Sequence, residues 1–133
     1  MYTTASIIIV CLAASFSRGE DSTVKELDPP SLAQLKPLSK VSNDTWLILF
    51  YAPWCPFSKK FAPIFDEAAK TLPGIHPQLH LVKIDASTHI KNLMGYRISS
   101  YPTVMYLTNG QEHEYEGEQT VQDINDFIKK FHL

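Results

Sequence analysis

Cys55 sits in the stretch FYAPWCPFSKKF, residues 50–61, where an apolar run from Trp46 to Tyr51 breaks at Pro53 and a helical pattern begins. A free thiol titrates at about 8.5, and at a helix N-terminus the partial positive charge and unpaired amides favour the thiolate and draw that value toward neutrality. The chemistry expected of Cys55 is therefore nucleophilic attack on sulfur. Most lone cysteines are small buried hydrophobes, but a thiol flanked by Trp54 and Pro56 at a strand-to-helix junction is placed to react. Three residues on stands Ser58, where a two-cysteine redox motif carries its second thiol. A hydroxyl cannot resolve a mixed disulfide. It could donate a hydrogen bond to the sulfur, which would also favour the thiolate.

Two other clusters invite chemistry. His76 and His80 have the spacing of helical metal ligands, but Pro77 lies between them and no cysteine or carboxylate is near in sequence, so no metal site is expected. Asn43-Asp44-Thr45 is an N-glycosylation sequon just ahead of a strand, and Asn43 is a candidate acceptor if the chain is secreted.

With 133 residues, 44% hydrophobic and 20% charged, the sequence has room for one globular domain. The N-terminus, MYTTASIIIVCLAASFSRGED, carries an apolar run, then small residues, then charge, which is the order of a secretory signal peptide. The expected division is a signal peptide over residues 1–19 and a domain over 20–133. The run from Ala5 to Ala14 is short against the roughly 20 apolar residues of a membrane span, so no span is expected after cleavage. Cleavage would remove Cys11 and leave Cys55 as the only thiol, with no internal disulfide to close. The formal charge of −2, without a cluster of more than two Lys or Arg, argues against nucleic acid and acidic membrane surfaces as partners.

The remaining chain supplies elements in an α/β order. Leu32, Leu35 and Leu38 mark a short first helix, and WLILFYA reads as a strand buried on both faces. CPFSKKFAPIFDEAAKTL places Phe57, Phe61, Ile64, Phe65 and Ala68 on one helical face, with a kink expected at Pro63. LHLVKIDAS is a second strand, HIKNLMGY a short helix ending at Gly95, and TVMYL a third strand. Asn109-Gly110 signals a hairpin into a fourth strand. TVQDINDFIKKF closes the chain as an amphipathic helix capped by Thr120.

This order, together with FYAPWC and YRISSYPTVMYLTNG, resembles the thioredoxin fold, and specifically the protein disulfide isomerase family, over Leu27 to Phe131. Within that family the Cys-Pro-Phe-Ser motif is similar to the first domain of the secretory-pathway thiol-retention chaperone. Plant adenylylsulfate-reductase-like proteins are a second near resemblance. The resemblance implies an α/β fold with a central mixed sheet flanked by helices, and a cis-Pro102 loop facing the thiol. It also implies that the backbone of Tyr101 can pair with an extended client, with Trp54, Pro56, Phe57, Tyr101 and Pro102 as the substrate-binding rim.

Two departures bear on turnover. Family members carry a buried glutamate where Leu49 stands and an arginine near Gln119, while Lys83 is retained. The function implied is thiol-disulfide exchange in the endoplasmic reticulum lumen or as a secreted protein, without cofactor, Cys55 and Ser58 forming a monothiol active site. Clients would be cysteine-containing proteins held as mixed disulfides, and glutathione or another oxidoreductase would supply the resolving thiol. A non-covalent peptide-binding module with an incidental thiol, and a glutathione-linked monothiol reductase, are the alternatives. The terminal KKFHL is not a KDEL-type retention signal.

Overall fold

The computed structural model describes residues 24–132, and the expected signal peptide over 1–19 lies outside them. The elements are β1 (Lys25–Glu26), α1 (Pro29–Val41), β2 (Thr45–Tyr51), α2 (Pro56–Ile75), β3 (Leu79–Asp85), β4 (Thr103–Thr108), β5 (Gln111–Tyr115) and α3 (Val121–Lys129), followed by a 3-10 turn over Lys130–His132. The five strands form one mixed sheet in the order β1-β3-β2-β4-β5. β2 is parallel to β3 and antiparallel to β4.

β2 explains why the sheet is covered on both sides. Its continuous apolar run alternates Leu47 and Leu49 toward one face with Trp46, Ile48 and Phe50 toward the other. The first face packs on α2 and α3 through Phe61, Phe65, Ala68, Leu72, Ile124 and Ile128. The second packs on Leu32 and Leu35 of α1, and on Leu93 and Tyr96 of the long β3–β4 connection. Each buried Leu, Ile or Phe contributes about 1.5–3 kcal/mol.

Local signals set the ends. Asp28 caps α1 by accepting from the Ser31 amide at 3.0 Å, and Pro29 and Pro30 fill the first positions, where no amide is needed. Leu32 and Leu35 are buried as expected, but Leu38 is exposed. Asn109 and Gly110 both adopt positive φ, 52° and 78°, as the expected two-residue hairpin turn between β4 and β5 requires. Thr120 caps α3 through the Asp123 amide.

α2 runs through both Pro63 and Pro73. Two expectations change. The short helix expected over residues 89–96 is instead a series of turns. There the Asp85 carboxylate accepts from the amides and hydroxyls of Ser87 and Thr88, committing the segment to side-chain-supported turns, and Met94 and Gly95 both take positive φ. β1 was not expected at all: its two residues are exposed, and only pairing with Val82 and Lys83 of β3 defines it.

Candidate active site at the β2–α2 junction

β2 ends at Tyr51, and the chain turns through Ala52, Pro53 and Trp54 so that the Cys55 amide donates to the Ala52 carbonyl at 3.0 Å. Cys55 is the N-cap residue of α2, with an extended backbone, and its carbonyl accepts from the Lys59 amide at 3.0 Å. The side chain caps nothing, so Sγ is not committed to the helix. It lies 3.9 Å from the carbonyl oxygen of Tyr101, to which the thiol donates. The Tyr101-Pro102 peptide is cis, as the resemblance implied.

Cys55 is only 9% exposed, but aromatic surface stands beside it: Trp54 is 64% and Phe57 68% exposed. Trp54 meets the half-buried Tyr101 edge to face, with ring centroids 5.9 Å apart. Pro56 is exposed and Pro102 half-buried. The structure thus brings Trp54, Cys55, Tyr101 and Pro102 together and sets Pro56 and Phe57 on the first turn of α2. Phe57 does not join the core face that helical spacing suggested; its place near the helix start turns it outward.

Ser58 is buried, and its hydroxyl oxygen accepts from the Ala52 amide at 3.2 Å. Among the described residues it makes no hydrogen bond to Cys55, so the role expected for it, an O–H aimed at the sulfur, is not what the geometry provides. Ser58 instead ties Ala52, the first residue of the turn that carries the thiol, to the first turn of α2.

Beneath Ser58 lies a cavity of about 40 Å³ lined by Leu49, Tyr51, Ala62, Phe65, Asp66 and Lys83. Leu49 pairs directly with Lys83 across β2 and β3. Lys83 is half-buried, with Nζ 5.6 Å from the centre of the Tyr51 ring. The Tyr51 hydroxyl donates to Glu26 at 2.8 Å. Burial, then that bond and the Glu26 charge, hold the Tyr51 pKa above its ordinary value. Sequence reasoning missed Asp66 and Glu26, because neither is near Cys55 in the chain; Asp66 arrives two helical turns after Ser58, and Glu26 through β1.

Other candidates fall elsewhere. Asn43 is exposed in the turn before β2, and Gln119 is exposed ahead of α3. His76 caps α2 and bonds Asn125 at 2.7 Å, whereas His80 faces Asp44 at 3.1 Å. The two histidines thus have different partners. A surface groove of about 700 Å³ runs past Lys25, Trp46 and His80 and does not include Cys55.

The thioredoxin family profile matches residues 34–130. The solution structure of the first thioredoxin domain of mouse protein disulfide-isomerase A4 superposes with a TM-score of 0.69 at 30% identity, over 90% of this chain and 88% of that one. The chain belongs to the thioredoxin family, as a domain of the protein disulfide isomerase type. Bovine protein disulfide-isomerase A4 is 40% identical over 88 residues, which are 66% of this chain and 14% of that protein. Bovine endoplasmic reticulum resident protein 44 is 36% identical over 92 residues, 65% of this chain and 23% of that protein. This chain thus spans less than a quarter of either full-length relative. In a disulfide isomerase-type domain, the β2–α2 junction and the cis-proline loop are the elements that the Cys55 geometry joins.

Proposed function

We propose that this domain performs thiol-disulfide exchange through Cys55 alone and holds cysteine-containing client proteins as mixed disulfides. The Cys55 thiolate attacks one sulfur of a client disulfide; a new S–S bond forms to Cys55, and the other client sulfur leaves as thiolate. No net oxidation occurs. Release follows when an external thiol, glutathione or another oxidoreductase, attacks the adduct and Cys55 departs as thiolate. The observation that carries this reading is the uncapped sulfur at the α2 start, facing the Tyr101 carbonyl, with a serine that bonds the backbone at the second-thiol position.

The exposed Trp54 and Phe57 rings suit the apolar segments of unfolded clients, and the Tyr101 backbone offers pairing to an extended chain. The proposed site of action is the endoplasmic reticulum, a reading supported by the name of one relative, endoplasmic reticulum resident protein 44. Non-reducing gels from cells expressing the chain test the mechanism. Dithiothreitol-sensitive adducts are expected, absent in Cys55→Ser. If no adduct forms while the Cys55→Ser protein still suppresses client aggregation fully, the domain is a non-covalent peptide binder, a reading the small exposure of Cys55 beside a large aromatic surface would then favour.

A further inference from the structure

Asn43 alone of the four asparagines has a serine or threonine two residues on. It occupies the turn between α1 and β2, with its side chain in solvent. The turn is held around it rather than through it: the Ser42 hydroxyl donates to the Leu38 carbonyl at 2.8 Å and accepts from the Asp44 amide at 3.2 Å. The Asn43 side chain takes no part in these bonds and is exposed at the rim of a groove, so a bulky substituent on it has a way out to solvent.

The other half of the motif has the opposite environment. Thr45 is the first residue of β2 and is 5% exposed. Its amide donates to the Gln78 carbonyl at 2.9 Å, its hydroxyl lies 3.5 Å from the same oxygen, and it pairs with Leu79 of β3. Asp44 between them faces His80. An enzyme that reads Asn-x-Thr must reach both the amide and the hydroxyl, and the folded domain presents only the first.

We infer that Asn43 carries an N-linked glycan, added to the nascent chain before β2 pairs with β3 and closed to addition afterwards. This rests on the chain entering the secretory lumen. The donor is a polyprenyl-diphosphate-linked oligosaccharide. The Asn43 amide nitrogen forms a bond to the anomeric carbon and gives up one proton. The anomeric C–O bond breaks, and the lipid diphosphate leaves with its electron pair.

The glycan sits far from the thiol. Asn43 precedes the start of β2 and Cys55 follows its end, so the seven-residue strand separates them by roughly 20 Å. It marks the pole opposite Cys55 and leaves the Trp54–Tyr101 surface open to clients.

Translation of the full chain with microsomes is expected to give a protease-protected product with one upward mobility step. That step is removed by peptide-N-glycosidase, lost in Asn43→Gln and kept in Thr45→Ser. A protected product that never shifts overturns the glycan while leaving lumenal entry intact; an unprotected product overturns both. Order of events is tested separately. Folded, glycan-free chain offered to detergent-solubilised microsomal transferase is expected to react at least about a hundredfold slower than a peptide of residues 39–48, because exposing Thr45 requires β2 to leave β3. Equal rates overturn the claim that folding closes the site.

Discussion

Removing the Ser58 hydroxyl separates two roles that a residue three positions after the reactive thiol could have. In the structure its oxygen accepts from the Ala52 amide at 3.2 Å, and both residues are buried, Ala52 completely. Ser58→Ala leaves that amide with no partner and no water, a penalty of about 1–3 kcal/mol. At about 4–8 °C per kcal/mol for a domain near this size, the melting temperature should fall by an amount that calorimetry resolves easily. The sulfur should notice much less. Ser58 makes no bond to Cys55, and the Cys55 turn closes on the Ala52 carbonyl, which the substitution does not touch. Alkylation of Cys55 by iodoacetamide at fixed pH and temperature should change by less than about fivefold, the equivalent of 1 kcal/mol. An unchanged melting temperature with alkylation slowed more than about tenfold would refute this reasoning, and would show that the hydroxyl serves the sulfur instead of the loop.

Three further outcomes follow from the same geometry. Tyr96 is 6% exposed and its hydroxyl has no hydrogen-bond partner among the described residues, so Tyr96→Phe should raise stability by about 1 kcal/mol in urea titrations; a clear loss would show that the hydroxyl is satisfied in solution. Burial, the largest single influence on Asp85, raises its pKa, yet hydrogen bonds from Ser87 and Thr88 together bring it below the ordinary value. The folded state therefore favours the carboxylate: its contribution is complete above the unfolded value of about 3.9 and disappears as pH falls through the lower folded value. Asp85→Asn should accordingly lose stability at pH 7 and show a flatter acid limb between about pH 5 and pH 2, and parallel curves for the two proteins would count against the assignment. Ser58→Cys should gain modest insulin reductase turnover, and adding Leu49→Glu should raise it by about a hundredfold, since it restores a proton acceptor beneath the new thiol. If Ser58→Cys alone reaches the rate of the double variant, Asp66 in the same cavity already supplies that group.

What was legible in the sequence tracks what is local. β2, β3 and β4 announced themselves as apolar runs, the hairpin through Asn109-Gly110, and α3 through its cap and period, because each signal lies within its own element. β1 carried none: Lys25 and Glu26 are exposed, and pairing alone makes them a strand. The turns after β3 replace the helix that the pattern suggested over 89–96, where Met94 and Gly95 take positive φ and no helix can run through them. At the site, Cys55, Ser58 and Pro102 could be singled out, but Pro102's cis geometry came only with the family resemblance. The Ser58–Ala52 bond and the grouping of Asp66, Lys83 and Leu49 depend on how α2 lies across the sheet, which no short motif encodes.

The substitutions beneath the thiol are consistent with one another. A buried carboxylate at position 49 would pay a desolvation cost of several kcal/mol unless paired, and its use in a dithiol site is to take the proton of the second cysteine. With serine at 58 there is no such proton to move, and Leu49, 3% exposed, adds to the apolar face shared by Phe61 and Phe65. Ser58 serves as a strut, its oxygen accepting from the Ala52 amide. On the proposed mechanism, the half of the chemistry that forms the mixed disulfide is kept and the half that breaks it is given to another molecule. Adduct lifetime then scales inversely with the concentration of external thiol, in contrast to a dithiol domain, where the internal cysteine sets it. Raising glutathione should shorten the lifetime of the Cys55 adduct in proportion, and a lifetime independent of glutathione would mean that some group within the domain resolves it.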